Sequence, residues 1–248
     1  MSRVIVVADA HLGQVPPAVG TAFHDFLDAV PRPGDHLVVT GDLFDFWFEY
    51  PSVIPRKHFA TAAKLQEVRT RGVPITFVGG NHDRWGGSFF TRDLGIQFFG
   101  GAVELDLNGR RAFIAHGDGL TEQHWTGALM HRFTRHPITV AVFRILHPTV
   151  GFWIADLFSR HLADNTKDRA VLDRAAAAQR KWAADFLQRH PAVQLVIMAH
   201  THRPVVERLP DGRIYLNPGA FLDGGRYAVI TPEAVELKQF TTARPQPA

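Results

Sequence analysis

Five short segments rich in aspartate and histidine, each directly behind a run of β-branched and apolar residues, constrain this chain more than any other feature. Asp9-Ala10-His11 follows Val4–Ala8, Gly41-Asp42-Leu43-Phe44-Asp45 follows His36–Thr40, and Gly80-Asn81-His82-Asp83 comes just after Pro74–Val78. His116-Gly117-Asp118 and His200-Thr201-His202 follow Arg111–Ala115 and Val193–Ala199. Runs of this composition read as strands. Open α/β sheets bind ligands at the carboxyl ends of their strands, so the five segments are expected to converge on one rim. Asp-x-His and His-x-His put both side chains of each pair on one face of extended backbone, where the pair can chelate. Gly41, Gly79, Gly80 and Gly117 fit tight strand-to-loop turns where backbone approaches an ion.

The side chains available limit the chemistry. The chain carries 14 histidines and no cysteine, which excludes disulfide scaffolds, zinc fingers, thiol nucleophiles and iron–sulfur clusters, and is compatible with a reducing compartment. Carboxylates, one amide and imidazoles are oxygen and nitrogen ligands suited to divalent Mn, Fe or Zn. Clustered buried carboxylates need positive partners, and two metal cations would supply that charge. A formal net charge of +3 names no partner.

Strand signals alternating with helical patterns at Ala18–Val30 and Arg56–Arg71 imply an α/β layered fold. Further strands are expected at Ala102–Leu107, Arg213–Leu216, Tyr227–Thr231 and Ala234–Phe240. From Glu122 to His190 no strand signal occurs, which reads as a helical insertion. Its last helix, Lys167–His190, spaces Val171, Leu172, Ala175, Ala178, Trp182 and Phe186 to make one buried stripe. The 248 residues fit a single domain over 1–240 with an inserted helical segment at about 122–166, and residues 241–248 read as a flexible tail. The opening apolar run is too short for a signal-peptide core. The longest apolar stretch, Ile138–Phe158, is interrupted by Arg144, His147, Pro148, Gly151 and Asp156, which argues against a spanning helix.

Taken in order, the five segments resemble the blocks of the calcineurin-like metallophosphoesterases, over positions 9 to 202. The resemblance implies a layered β-sandwich flanked by helices and a site for two divalent ions, with Mn²⁺ expected and Fe²⁺ or Zn²⁺ as alternatives. Asp9, His11, Asp42 and His202 would hold one ion; Asp42, Asn81, His116 and His200 would hold the other, with Asp42 bridging. His82 would be a catalytic histidine that assists the leaving oxygen, oriented by Asp45. Two ions roughly 3.5–4 Å apart would clamp a phosphoryl group and generate hydroxide near neutral pH. Ala199 stands where the family usually has glycine.

The inserted segment narrows the expectation. Val142, Ile145 and Leu146, then Val150, Trp153, Ile154, Leu157, Phe158 and Leu162, form two apolar stripes broken by Pro148, with Arg132, Arg135, Arg144 and Arg160 interspersed. Two such helices between the His116 and His200 blocks, with His200-Thr201-His202-Arg203-Pro204, resemble the UDP-2,3-diacylglucosamine diphosphatases of lipid A synthesis. That resemblance implies hydrolysis of the pyrophosphate of this nucleotide-linked glycolipid to UMP and 2,3-diacylglucosamine 1-phosphate, with the helices as a lid over the acyl chains. The substrate-binding residues expected are Asn81, His82, Arg160, Asn165, Lys167 and His200. His82 is a departure, since much of that group is similar to Gly-Asn-Arg-Asp at this block. A cytoplasmic location with peripheral contact at the cytoplasmic face of the inner membrane is expected, with no nucleic-acid partner. The alternative is a two-metal phosphodiesterase, phosphatase or nuclease for soluble nucleotides or nucleic acid. Phe44, Phe46, Trp47 and Phe48 fit an acyl groove or plain core packing, and His124 has a weak case for lining the lid. His24, His36, His58, His131, His136, His147, His161 and His190 are read as non-functional, and Asn217-Pro218-Gly219 as a turn first.

Overall fold

The structure is a computed structural model that describes residues 2–120, 134, 136–163 and 169–241. Its elements begin β1 (Val4–Val7), α1 (Pro17–Ala29), β2 (His36–Thr40), α2 (Phe59–Thr70), β3 (Ile75–Val78), β4 (Gln97–Phe99), β5 (Val103–Leu107) and β6 (Arg110–Ile114). They continue with α3 (Pro137–Ile145), α4 (Pro148–Ala163), α5 (Arg169–Arg189), β7 (Leu195–Ile197), β8 (Val205–Arg208), β9 (Ile214–Asn217), β10 (Arg226–Ile230) and β11 (Val235–Gln239). The strands form a six-stranded sheet ordered β11-β10-β1-β2-β3-β4 and a five-stranded sheet ordered β5-β6-β7-β9-β8.

The smaller sheet is parallel at its centre and antiparallel at both edges, whereas the larger is antiparallel only on its β10–β11 side and keeps a parallel edge at β4. β1 to β4 run parallel, as do β6, β7 and β9, while β10, β11, β5 and β8 pair antiparallel. The central parallel strands are covered on both faces, which is why VIVV, ITFV and LVI are fully buried near-continuous apolar runs with no polar alternation. Val4, Val6, Val38 and Val78 of one sheet pack with Ile114, Leu195, Ile197 and Leu216 of the other, so the sheets meet face to face. α1 and α2 cover the outer face of the larger sheet through Phe23, Phe26, Leu27, Leu65 and Val68, and α5 covers the smaller one through Ala183, Phe186 and Leu187. The layers run helix, sheet, sheet, helix.

Differences from the sequence expectations have local causes. β4 and β8 were not expected: β4 is three residues long and β8 is a flank strand whose Glu207 and Arg208 are exposed, so neither carries an apolar run. In α5 the buried line is Ala176, Gln179, Ala183, Phe186 and Leu187, rotated from the expected stripe, and Val171 is exposed. The rotation brings a glutamine to complete burial. The stripes on α3 and α4 do not face inward as a whole: Ile138, Val142, Ile145, Val150, Trp153 and Leu157 are exposed. These helices touch the body through Phe143 on Phe48, with ring centroids 4.7 Å apart, and Phe152 on Tyr50 at 5.7 Å. Phe44 and Trp47 are core, whereas Phe46 reaches Phe143 and Phe152. A cavity of about 610 Å³ opens where Val53, Ile54 and Lys57 face His147, Phe152 and Trp153. No helix among the described residues is long and apolar enough to cross a membrane.

Candidate metal centre

The parallel pairings fix where the five segments go. Asp9 and His11 lie just past β1, Asp42 past β2, Asn81 and His82 past β3, His116 past β6, and His200 and His202 past β7. All of these strands end on the same rim, three from one sheet and two from the other. Backbone bonds stitch the loops together: Asp9 N–H donates to Gly41 O (3.1 Å), His11 N–H to Asp42 O (3.0 Å) and Ala199 N–H to His116 O (2.8 Å).

The convergence imposes backbone strain. Among the described residues the non-glycine positions with positive φ are Asp9, His11, Asp42, His200 and His202, besides Asn108 in the β5–β6 turn. The left-handed region is costly for side chains of this kind, on the order of 1–3 kcal/mol each, and persists where surroundings enforce it. Glycine provides the remaining space. A Cβ at Gly80 would lie 2.2 Å from Asp42 Oδ1, and one at Gly41, whose φ is +80°, would lie 2.4 Å from His116 Nδ1.

Three groups of ligand atoms, each within 4.8 Å, result: Asp9, His11 and His202; His11, Asp42 and His82; and Asp42, His116 and His200. Asp42 joins two of them. Its Oδ2 is 3.1 Å from His116 Nε2 and 3.8 Å from His11 Nε2. His116 Nδ1 donates to Thr40 O (3.0 Å), which leaves Nε2 to face the cluster. Asp9 Oδ1 is 3.6 Å from His202 Nε2. Asp9 Oδ1 and Asn81 Oδ1 are buried and have no hydrogen-bond partner among the described residues. Asp9 Oδ1 lies 3.6–4.0 Å from the Nε2 atoms of His202, His116 and His11, a setting that a divalent cation would satisfy, and the donor set is entirely hard oxygen and borderline nitrogen.

Two of the imidazoles are electrostatically set for ligation. Burial pushes His11 down to about 3 and His200 down to about 4, so both are neutral ligands at ordinary pH. For His116 burial acts downward, but the Asp42 and Asp9 carboxylates outweigh it and hold the imidazole well above its ordinary value. Burial raises Asp9, with His202 and His116 opposing.

His82 lies in the rim with its ring edge-on to His11 at 4.9 Å. Its amide donates to Asp42 Oδ1 (2.9 Å), and Nδ1 donates to the backbone carbonyl of Asp45 (2.6 Å). Asp45 thus contacts His82 through its backbone carbonyl, while its carboxylate turns away to Lys57 Nζ (2.5 Å), His58 Nε2 (3.0 Å) and the Phe46 amide (2.9 Å). Asn165, Lys167 and His124 lie outside the described residues, as does the side chain of Arg160.

Several supporting residues were not singled out from the sequence. The Asp83 carboxylate accepts from the amides of Gly80 (2.8 Å), Leu43 (2.7 Å), Asp42 (3.2 Å) and Phe44 (3.3 Å), tying the second and third blocks together. Burial, reinforced by Asp42, pushes it up to about 6. Arg84 pairs with Asp118 in the interior, and Asp223 Oδ2 is 3.6 Å from His202 Nδ1. His58, read as non-functional, holds Asp45. Asp83 and Asp118 had a signal in the sequence, since they complete two of the blocks. The others had none.

A calcineurin-like phosphoesterase family profile matches residues 2–204. The UDP-2,3-diacylglucosamine hydrolase of Klebsiella pneumoniae subsp. pneumoniae is 32% identical, covering 95% of this chain and 98% of that protein. The protein of the same name from Escherichia coli O127:H6 is 31% identical with the same coverage, and that of Porphyromonas gingivalis is 29% identical over 92% of this chain and 94% of its own. Among solved structures, a dimetal phosphatase from Danio rerio covers 96% of this chain and 95% of its own at 13% identity with a TM-score of 0.46, a level from which nothing about chemistry follows.

Proposed function

With the chain belonging to the calcineurin-like phosphoesterase family, hydrolases of phosphate bonds, we propose that it cleaves the pyrophosphate of UDP-2,3-diacylglucosamine to UMP and 2,3-diacylglucosamine 1-phosphate. The observation that carries the chemistry is the place of Asp42, whose Oδ2 lies 3.8 Å from His11 Nε2 and 3.1 Å from His116 Nε2, nitrogens that this reading gives to different ions. The substrate follows from relatives of that name, which align over 92–95% of this chain.

In this reading Asp9, His11, Asp42 and His202 hold one ion, and Asp42, Asn81, His116 and His200 hold the other. Two divalent ions held there, Mn²⁺ in this proposal, would supply positive charge for the phosphoryl oxygens and lower the pKa of a water nucleophile. His82 manages the leaving group's proton. With Nδ1–H engaged by the Asp45 carbonyl, a proton carried on Nε2 points into the cluster and passes to the departing oxygen.

The helices α3 and α4 serve as the lid. The cavity of about 610 Å³ under α4, apolar at Val53, Ile54, Phe152 and Trp153 with Lys57 at its edge, suits an acyl chain next to a polar headgroup. Arg160, Asn165 and Lys167 complete the phosphosugar contacts in this reading. The exposed face of Ile138, Val142, Ile145, Trp153 and Leu157, with Arg144 beside it, suits interfacial binding to the cytoplasmic leaflet that would present such a substrate.

The test is hydrolysis of UDP-2,3-diacylglucosamine in Mn²⁺ and mild detergent beside UDP-N-acetylglucosamine and bis-p-nitrophenyl phosphate. Release of UMP is expected from the acylated nucleotide and not from UDP-N-acetylglucosamine, with slow turnover of the small diester as a report on the metal centre alone. Cleavage of the small diester with the lipid nucleotide untouched overturns the substrate while keeping the metal chemistry.

A further inference from the structure

Gln179 is completely buried in the middle of α5, a position where an apolar side chain would cost less. Two of its three hydrogen bonds reach the His200–His202 loop, and the third comes from β9. Nε2 donates to the carbonyl of Ala199 (3.1 Å), and Oε1 accepts from the hydroxyls of Thr201 (3.2 Å) and Tyr215 (3.2 Å). Asn217, at the end of β9, closes the network: its Nδ2 donates to the same Ala199 carbonyl (3.2 Å) and to Thr201 Oγ1 (3.1 Å), while its Oδ1 accepts from the Gly219 amide (2.9 Å).

The atoms held are those that aim the ligands. Ala199 O belongs to the peptide that leads into His200, whose φ is +69°. The same oxygen also accepts from the Thr201 amide (2.7 Å). Thr201 sits between the two histidines of this loop, so a hydrogen bond to its hydroxyl restrains both. Gln179 also abuts the turn after His116: a Cβ on Gly117, whose φ is +115°, would lie 2.3 Å from Nε2. The glycine at 117 therefore leaves room for the glutamine.

We propose that Gln179 is a positioning residue of the metal centre, holding the His200–His202 loop and the His116 turn in ligating geometry from α5. This rests on the two-ion reading above and is independent of the substrate. Hydrogen-bonded partners behind metal ligands set ligand orientation, and their loss costs about 10–100-fold in metal affinity or activity. Leucine at 179 would fill the space while removing the acceptor of the Thr201 and Tyr215 hydroxyls and one of the three donors to the Ala199 carbonyl.

The experiment compares the full-length wild type with Gln179→Leu, both stripped of metal, by calorimetric titration with Mn²⁺ and by kinetics on bis-p-nitrophenyl phosphate. The expected result is a folded variant whose Mn²⁺ dissociation constant rises about 10-fold or more. Its kcat falls at limiting Mn²⁺ with KM unchanged, and excess Mn²⁺ restores turnover. A glutamine that only stabilises the fold would lower the melting temperature and leave the Mn²⁺ affinity at the wild-type value, which overturns the proposal. Should Gln179→Leu fail to fold, Thr201→Val removes the hydroxyl link and carries the same readout, and unchanged affinity there is equally fatal. A wild type that binds no Mn²⁺ sinks the two-ion reading itself and is recognised before any variant is compared.

Discussion

Asp42 concentrates the tension of the site in one carboxylate. Burial opposes its charge, and His116, His82 and His11 more than compensate, holding it well below the usual carboxylate range. Asp42→Ala removes the group common to two ligand sets, so hydrolysis is expected to disappear and metal content, read by elemental analysis, to fall for both ions. His82→Ala leaves the other ligands in place; turnover should drop by about 10²–10⁴-fold with metal content retained, and loss of an ion instead would make His82 a ligand. For Asp45 the backbone carbonyl orients His82, so Asp45→Asn should leave kcat near wild type. Its effect falls on stability, since Lys57 and His58 lose their charged partner, by about 1–3 kcal/mol in denaturant titration. At this scale the ligands were legible because each lies within a few residues of a strand end. Gln179 was not, because the groups it holds lie 20 to 36 positions away in the chain, and nothing local marks it.

At the scale of elements, α4 shows how closely the inserted helices sit on the body. A Cβ on Gly151 would lie 2.1 Å from Tyr50 Oη, beside Phe143. Gly151→Val should overpack this contact at a cost of about 1–3 kcal/mol and lift α4. The readout is a raised KM for the acylated substrate with the kinetics on bis-p-nitrophenyl phosphate unchanged; equal effects on both would deny α4 a role in lipid recognition. The period of α3 and α4 was legible as amphipathic, yet its meaning was not, because a stripe that faces water and one that faces a core have the same spacing. β4 and β8 escaped for the opposite reason: short flank strands, half exposed, lack the apolar run that identified β1 to β3.

For the whole molecule, the charge pair between β1 and the start of β2 gives a pH test away from the centre. Asp35 accepts from Arg3 Nη2 (2.5 Å), Arg3 Nε (3.1 Å) and the amides of Arg3 (3.2 Å) and Arg32 (3.0 Å). Burial acts to raise its pKa, and these bonds outweigh it, so the folded value lies below the ordinary one. The stabilisation is then complete above the unfolded value of roughly 3.9 and is lost as pH falls through the folded value. Asp35→Asn should flatten that part of the acid limb of a stability–pH curve, measured by thermal unfolding.

The rim draws its candidate ligands from both sheets: Asp9, His11, Asp42 and Asn81 come from one, His116, His200 and His202 from the other. In the proposed reading, cations bound there would act as rivets through a sandwich whose facing sheets meet chiefly through apolar side chains. Neither half offers a full coordination shell by itself, so slippage of one sheet against the other releases both ions in a single event. Residence time of the metal thereby becomes a clock for the opening of the sandwich.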